Sequence, residues 1–304
     1  MRRSPDVAAR RRRTDGVRIW STAMTAVVCL AVGGAVLYLV AGSLTALRQE
    51  GWAFFTTARW SYRHGEFGAA SMLFGSIAVA LMALLLAVPL AIAAAVFLSE
   101  MCSRRVRVAL KVAVELLAGI PSVVYGLLGV LFLRDWIAAL FDRAGVDALS
   151  ADTLLTAGVL LAVMVLPTIA TLSDDALHAV PRVSREAARG LGLTRAETIA
   201  TVVVPHAAPG LIGAVLLGFG RAVGETIAVF LVVGRADNRE LSLNALFDAG
   251  QTITSKLGGS ETNIAAGDPM HGSAMIALGL VLLTLVLCAT LAAEGLRGRL
   301  AGAR

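Results

Sequence analysis

Six stretches of this chain are uncharged over lengths that suit a bilayer crossing, and nothing constrains its fold more. They are residues 19–47, 71–99, 116–133, 153–173, 198–220 and 269–293. A helix needs about 20 residues to cross the hydrocarbon core. The third run is the shortest, at 18 residues, and is read as extending backward past Glu115. The runs are continuous and do not alternate, so they predict helices and not strands of a barrel. Composition agrees. Charged residues make up 16% of the chain, against about 25% in soluble proteins, and mean hydropathy is +0.78. A soluble enzyme is therefore excluded. The net charge of +6 would suit nucleic acid, but the basic residues are distributed as topology signals.

That distribution orients the chain. Of the 27 basic residues, 18 fall in the N-terminal tail, the 2–3 and 4–5 connections and the C-terminal tail. Eight fall on the opposite side, and one, Arg221, lies inside the fifth span. Cytoplasmic loops carry the excess of Lys and Arg, so both termini are expected in the cytoplasm. The division is a basic cytoplasmic tail over 1–18, a six-span domain over 19–296 and a second tail over 297–304. Within the domain lie a cytoplasmic loop, 173–204, and an external connection, 235–271. The first run is too long for a secretory signal core and reads as an anchor. The aromatic residues Trp52, Trp60 and Tyr62 of the first external loop suit a membrane interface.

Three features stand out inside the spans. The first is Gly119-Ile120-Pro121-Ser122, the sharpest expected helix break. Proline removes a helix hydrogen bond, and transporters use broken helices to present backbone to a substrate. A kink that only improves packing is the alternative. The second is Arg221 with Glu225. A charge at mid-span costs about 2.5–3.5 kcal/mol on insertion scales. At i and i+4 on one continuous helix the two would pair. Either that pair only locks the span, or Arg221 meets a passing oxyanion while Glu225 competes for the guanidinium. The third is Glu115, four residues after Lys111 and expected to pair with it. Ser122 and Tyr125 are candidate hydrogen-bond donors along a path. The three cysteines and four histidines show neither metal nor disulfide spacing.

The 4–5 connection carries the most specific signal. Pro181 suits a helix start, and Val183, Ala187 and Leu191 share one helical face. Gly190 and Gly192 break that helix, and Thr194 with Glu197 marks a second start. A helix this short cannot bury its apolar face alone and needs a groove on a partner. Glu186-Ala187-Ala188, then Gly192, then Val202-x-Val204-Pro205 resembles the EAA loop of permeases of ATP-binding-cassette (ABC) importers. Both hydrophobic slots hold Val here, a mild departure from that pattern. The resemblance implies an all-α integral membrane protein with six transmembrane helices and the type I importer permease (MetI-like) fold. It also implies that this loop couples to a cytoplasmic ATP-binding subunit.

A second tier of resemblance concerns the substrate. Residues 115–126, ELLAGIPSVVYG, are similar to a stretch of the phosphate-specific transport (Pst) permeases. So are 166–170, 220–229 and 251–255. Residues 65–68 and 74–76 look more like the PstC-type subunit than its PstA-type sister. The resemblance spans about residues 60–296. It implies import of inorganic phosphate, a sister permease subunit, an external phosphate-binding protein and contact with membrane lipid. Permeases for sulfate or molybdate, and a stand-alone channel or carrier, are the alternatives. The chain has no G-x-x-x-x-G-K-[ST], G-x-S-x-G or H-E-x-x-H motif. No cofactor is expected in it, and ATP with magnesium would belong to the partner.

Overall fold

The computed structural model describes residues 5–145, 150–237 and 241–302. The chain is helical almost throughout. In order, the elements are α1 (Pro5–Glu50), α2 (Ala53–Thr56), β1 (Trp60–Ser61), β2 (Glu66–Phe67), α3 (Ala70–Val96) and α4 (Arg104–Ala118). Then come α5 (Ser122–Leu128), α6 (Arg134–Ala144), α7 (Leu154–His178), α8 (Arg182–Gly190), α9 (Arg195–Thr198) and α10 (Val204–Gly224). The last are α11 (Ile227–Val232), α12 (Ile253–Leu257), α13 (Glu261–Ala265) and α14 (Pro269–Gly302). Strands β1 and β2 form a small antiparallel hairpin that pairs Trp60 with Phe67.

Six helical stretches are long and apolar enough to cross a membrane: Arg18–Glu50, Ala70–Met101, Ser122–Ala144, Leu154–His178, Arg195–Gly224 and Pro269–Gly295. The third differs from the expected 116–133. It starts after the break, at Ser122, and runs on through Ala144. Helix α4 before it is a separate element with no buried residue. Nor does Lys111 on α4 pair with Glu115. It bonds to Asp175 and lies 3.5 Å from Asp174, both on α7. The hydrogen bond to Asp175 raises the Lys111 ammonium above its usual range. The fifth span also starts earlier than the expected residue 198. A π-turn over Ile199–Val203 joins α9 to α10, so Pro205 sits within one continuous helical stretch.

α7 is the axis of the bundle. It packs against α3 along its length and also against α10 and α4. Ala80, Ala83, Ala87 and Ala91 of α3 are buried against Leu161, Met164, Val165 and Ile169 of α7. Small side chains on one helix let the other's larger ones approach, which is how helices associate where lipid removes the hydrophobic drive. α1 packs on α14, tied by Ser273 Oγ, which donates to the Gly42 carbonyl at 2.7 Å and accepts from the Ala46 N–H at 2.9 Å.

The connection between the fifth and sixth spans is not an open loop. Residues 251–256 are all buried. The Ile253 N–H donates to Ser76 Oγ on α3 at 2.8 Å. Lys256, 2% exposed, sits between Asp237 and Glu261 with 2.6 Å to each. Trp60 is buried here, not spread at a membrane interface. Its indole N–H donates to Glu261 at 2.9 Å, and the Lys256 ammonium lies 5.2 Å from its ring centre. His271, fully buried, stacks on Tyr62 and Phe67 and reaches Glu261 at 3.3 Å. Burial raises the Asp237 carboxyl above its usual range despite Lys256. For Glu261, burial pushes upward too, but Lys256, Trp60 and His271 outweigh it and hold the carboxyl low.

Candidate functional site

Two helix breaks face each other. α4 ends at Ala118, and the chain turns through Gly119, Ile120 and Pro121 before Ser122 opens α5. α10 ends at Gly224, Glu225 is extended, and α11 starts at Ile227. α5 and α11 pack closely. A Cβ on Gly126 would lie 2.7 Å from Leu231 and 3.0 Å from the Ala228 backbone. Glycine at 126 is what lets the halves beyond the two breaks touch.

Arg221 lies in the last turn of α10, between these breaks. Its Nη1 donates to Thr168 Oγ1 of α7 at 2.8 Å, and its Nη2 reaches the Ala118 carbonyl at 3.5 Å. Both partners are neutral. The expected ion pair with Glu225 does not form, because the helix that would have stacked the two stops at Gly224. Glu225 instead accepts the Ala228 N–H at 3.3 Å, at the start of α11, and its own carbonyl accepts Thr254 Oγ1 at 2.8 Å. A half-buried guanidinium is thus left without a carboxylate among the described residues. Such a group is always charged and has forked donors suited to two oxygens of an oxyanion.

Tyr125 sits beside this group but is committed to the backbone. Its hydroxyl donates to the Leu117 carbonyl at 2.8 Å, closing the end of α4 across the break. Ser122 is half-buried at the first turn of α5. Thr168 and the second break, at 224–226, were not legible as site features. The signals there were Pro167 beside Thr168, Gly224, and the resemblance of 166–170 and 220–229 to Pst permeases, none of which singled out Thr168 or a break.

The second candidate element is the segment around α8. Gly192 has φ +90°, in the left-handed region, and lets the chain turn between α8 and α9. The capping box of Thr194 and Glu197 starts α9 as expected, and the Thr194 bonds hold the Glu197 carboxyl below its usual range. Glu186, Ala187, Gly192 and Pro205 are exposed, and Ala188 is buried. Val183 and Leu191 are 74% and 83% exposed, so the apolar face has no partner among the described residues. An arginine that the sequence did not single out holds α8 in place. Arg185 donates to Glu100 at 2.9 Å and to the carbonyls of Leu177, at 2.7 Å, and Val180. Removing either member would strand a buried charge.

The family "Binding-protein-dependent transport system inner membrane component" matches residues 87–302. The phosphate transport system permease protein PstC of Mesorhizobium japonicum is 37% identical over 298 residues, covering 93% of this chain and 90% of that protein. PstC of Haemophilus influenzae is 34% identical, covering 86% of each. The probable ABC transporter permease protein YqgH of Bacillus subtilis is 37% identical, covering 76% of this chain and 73% of its own length. Two solved structures share the fold. One is an inward-facing methionine ABC transporter MetNI, with TM-score 0.56, 17% identity and coverage of 74% of this chain and 93% of that one. The other is a bacterial ABC transporter involved in alginate import, with TM-score 0.58, 15% identity and coverage of 93% and 99%. The chain is a multi-pass membrane protein and belongs to the family of binding-protein-dependent transport system inner membrane components, among the PstC phosphate transport permeases.

Proposed function

We propose that this chain is the membrane-spanning permease subunit of an ATP-driven importer of inorganic phosphate. The observation that carries this reading is Arg221, a cation held by neutral partners at two facing helix breaks. Phosphate passing this point gains charge-assisted hydrogen bonds from the guanidinium. A single cation suits a substrate that must also leave, since conduction needs binding weak enough for exit. The likeness to PstC proteins supports phosphate over sulfate or molybdate.

Both termini lie in the cytoplasm, on the basic-residue count, so α8 faces the cytoplasm and α12 and α13 face outward. α8 is the coupling helix, and its exposed Val183 and Leu191 meet a cytoplasmic ATP-binding subunit. ATP and magnesium bind that subunit, and this chain does no catalysis. A sister permease completes the path, and an external phosphate-binding protein delivers to the α12–α13 end. Movement of α8 rocks the spans and opens the Arg221 site to one side, then the other. The test is radiolabelled phosphate uptake by the assembled complex in proteoliposomes. Uptake should require ATP and survive excess sulfate. Uptake without ATP, or uptake blocked by sulfate, would contradict the reading.

A further inference from the structure

α4 and α8 begin at one cavity of about 520 Å³, separate from the Arg221 site. Its charged walls are Arg104, Arg107, His178 and Arg182, with Ser99, Cys102 and Val108 completing the lining. The carboxylates nearby are already matched. Asp174, 1% exposed, takes Arg107 at 2.7 Å. Asp175 takes Lys111, and Glu100 takes Arg185. Arg104 and Arg182 are left with no partner among the described residues. His178 Nε2 lies 3.4 Å from Arg107 Nη1. A histidine never carries a negative charge, so it offsets none of the arginines.

The two unmatched arginines are the first residues of α4 and α8, and neither helix has a side-chain cap. The helix ends at Met101 and His178 border the same cavity, so the helix dipoles oppose one another and the arginines carry its charge. The charge left over is that of two guanidiniums, and a dianionic tetrahedral oxyanion balances it with forked hydrogen bonds. Position gives the site a consequence. α4 starts in this cavity at Arg104, and its last residue, Ala118, presents its carbonyl to Arg221. α8 starts here at Arg182.

We propose that this cavity binds a phosphate group on the cytoplasmic side, where it bridges the start of the coupling helix to the helix that ends at the transport site. The group is either free phosphate or the head of an anionic lipid. The proposal rests on the orientation given above only for the side from which the ligand arrives.

Cys102 lines the cavity and reports on it, whereas Cys29 and Cys288 lie within membrane spans. The assembled complex is placed in nanodiscs of purely zwitterionic phosphatidylcholine. Reaction of Cys102 with an anionic methanethiosulfonate is then followed by the intact mass of this chain. Millimolar inorganic phosphate should slow labelling several-fold relative to chloride at equal ionic strength. In the double variant Arg104→Gln/Arg182→Gln, labelling should become insensitive to phosphate, with the thermal midpoint unchanged because neither arginine has a partner to lose. Replacing part of the lipid by phosphatidylglycerol is the second arm. Slowing by that lipid, without slowing by free phosphate, identifies the headgroup as the source. Labelling indifferent to both, slowing that persists in the double variant, or a Cys102 that never reacts would each overturn the site. The nanodisc leaves both faces open, so failure here would leave the transport reading standing.

Discussion

Lys256 and Arg221 are held in opposite ways. Lys256 is 2% exposed, with a carboxylate 2.6 Å away on each side and an indole ring over it. Arg221 is half-buried, with a threonine hydroxyl and a more distant carbonyl. The first is neutralised on the spot and has no charge to offer a ligand. The second keeps its full charge in an apolar surrounding, where electrostatic interactions are strong. Burial alone therefore does not mark a functional charge here. What marks it is the absence of a matching carboxylate. Lys256 ties the α12–α13 connection to the hairpin, and Arg221 is the charge that our proposal gives to a passing anion.

The comparison can be broken most readily at Lys256. Lys256→Met leaves the half-buried Asp237 and Glu261 without their cation, and the loss of one partner of a buried pair costs up to about 3–5 kcal/mol. Thermal unfolding of the purified chain should show a large drop, and an unchanged midpoint would break the idea of a locked cation. A smaller effect is expected at Thr168. Thr168→Val removes the one short hydrogen bond on Arg221, and a bond to a charged group contributes about 1.5–3 kcal/mol. Phosphate uptake should fall roughly tenfold or more, with an unfolding shift smaller than that of Lys256→Met.

Acid sharpens the contrast further. Asp237 is raised by burial, so it takes its proton first as pH falls, and its protonation favours the fold. Glu261 is held low by Lys256, and it contributes stability above the ordinary glutamate value of 4.5 that is lost as pH falls through its lowered one. The acid limb of the unfolding profile should therefore flatten in Glu261→Gln and stay as it is in Arg221→Ala. The smallest effect concerns Arg221 itself. It has no ion pair to lose, only the Thr168 hydrogen bond, so Arg221→Ala should shift stability by no more than that bond's about 1.5–3 kcal/mol, less than Lys256→Met.

How much was legible in the sequence depended on the range of the interaction. The spans were legible because crossing a bilayer is a local demand on about 20 residues. The break at Gly119–Pro121 was legible because proline forces it, and the turn around Gly192 because glycine, Pro181 and Thr194 punctuate it. The third span was misplaced because α4 is apolar enough to extend the uncharged run but ends at that same break. The Arg221–Glu225 pair failed for a related reason. Spacing of i and i+4 presumes a continuous helix, and no proline announced the end of α10. The Lys256 cluster joins residues 60, 237, 256, 261 and 271. No periodicity brings those together, since only packing of the 251–256 segment on α3 and α14 does. Thr168 was hidden for the same reason, as one hydroxyl in an apolar span.

The central claim is that the charge of Arg221, left unmatched by the fold, is what phosphate meets in passage. Radiolabelled phosphate uptake by Arg221→Ala tests it most directly, with the complex assembled to the same level and its unfolding midpoint retained. The account predicts that uptake is lost. Uptake at the unaltered rate in that variant would contradict it.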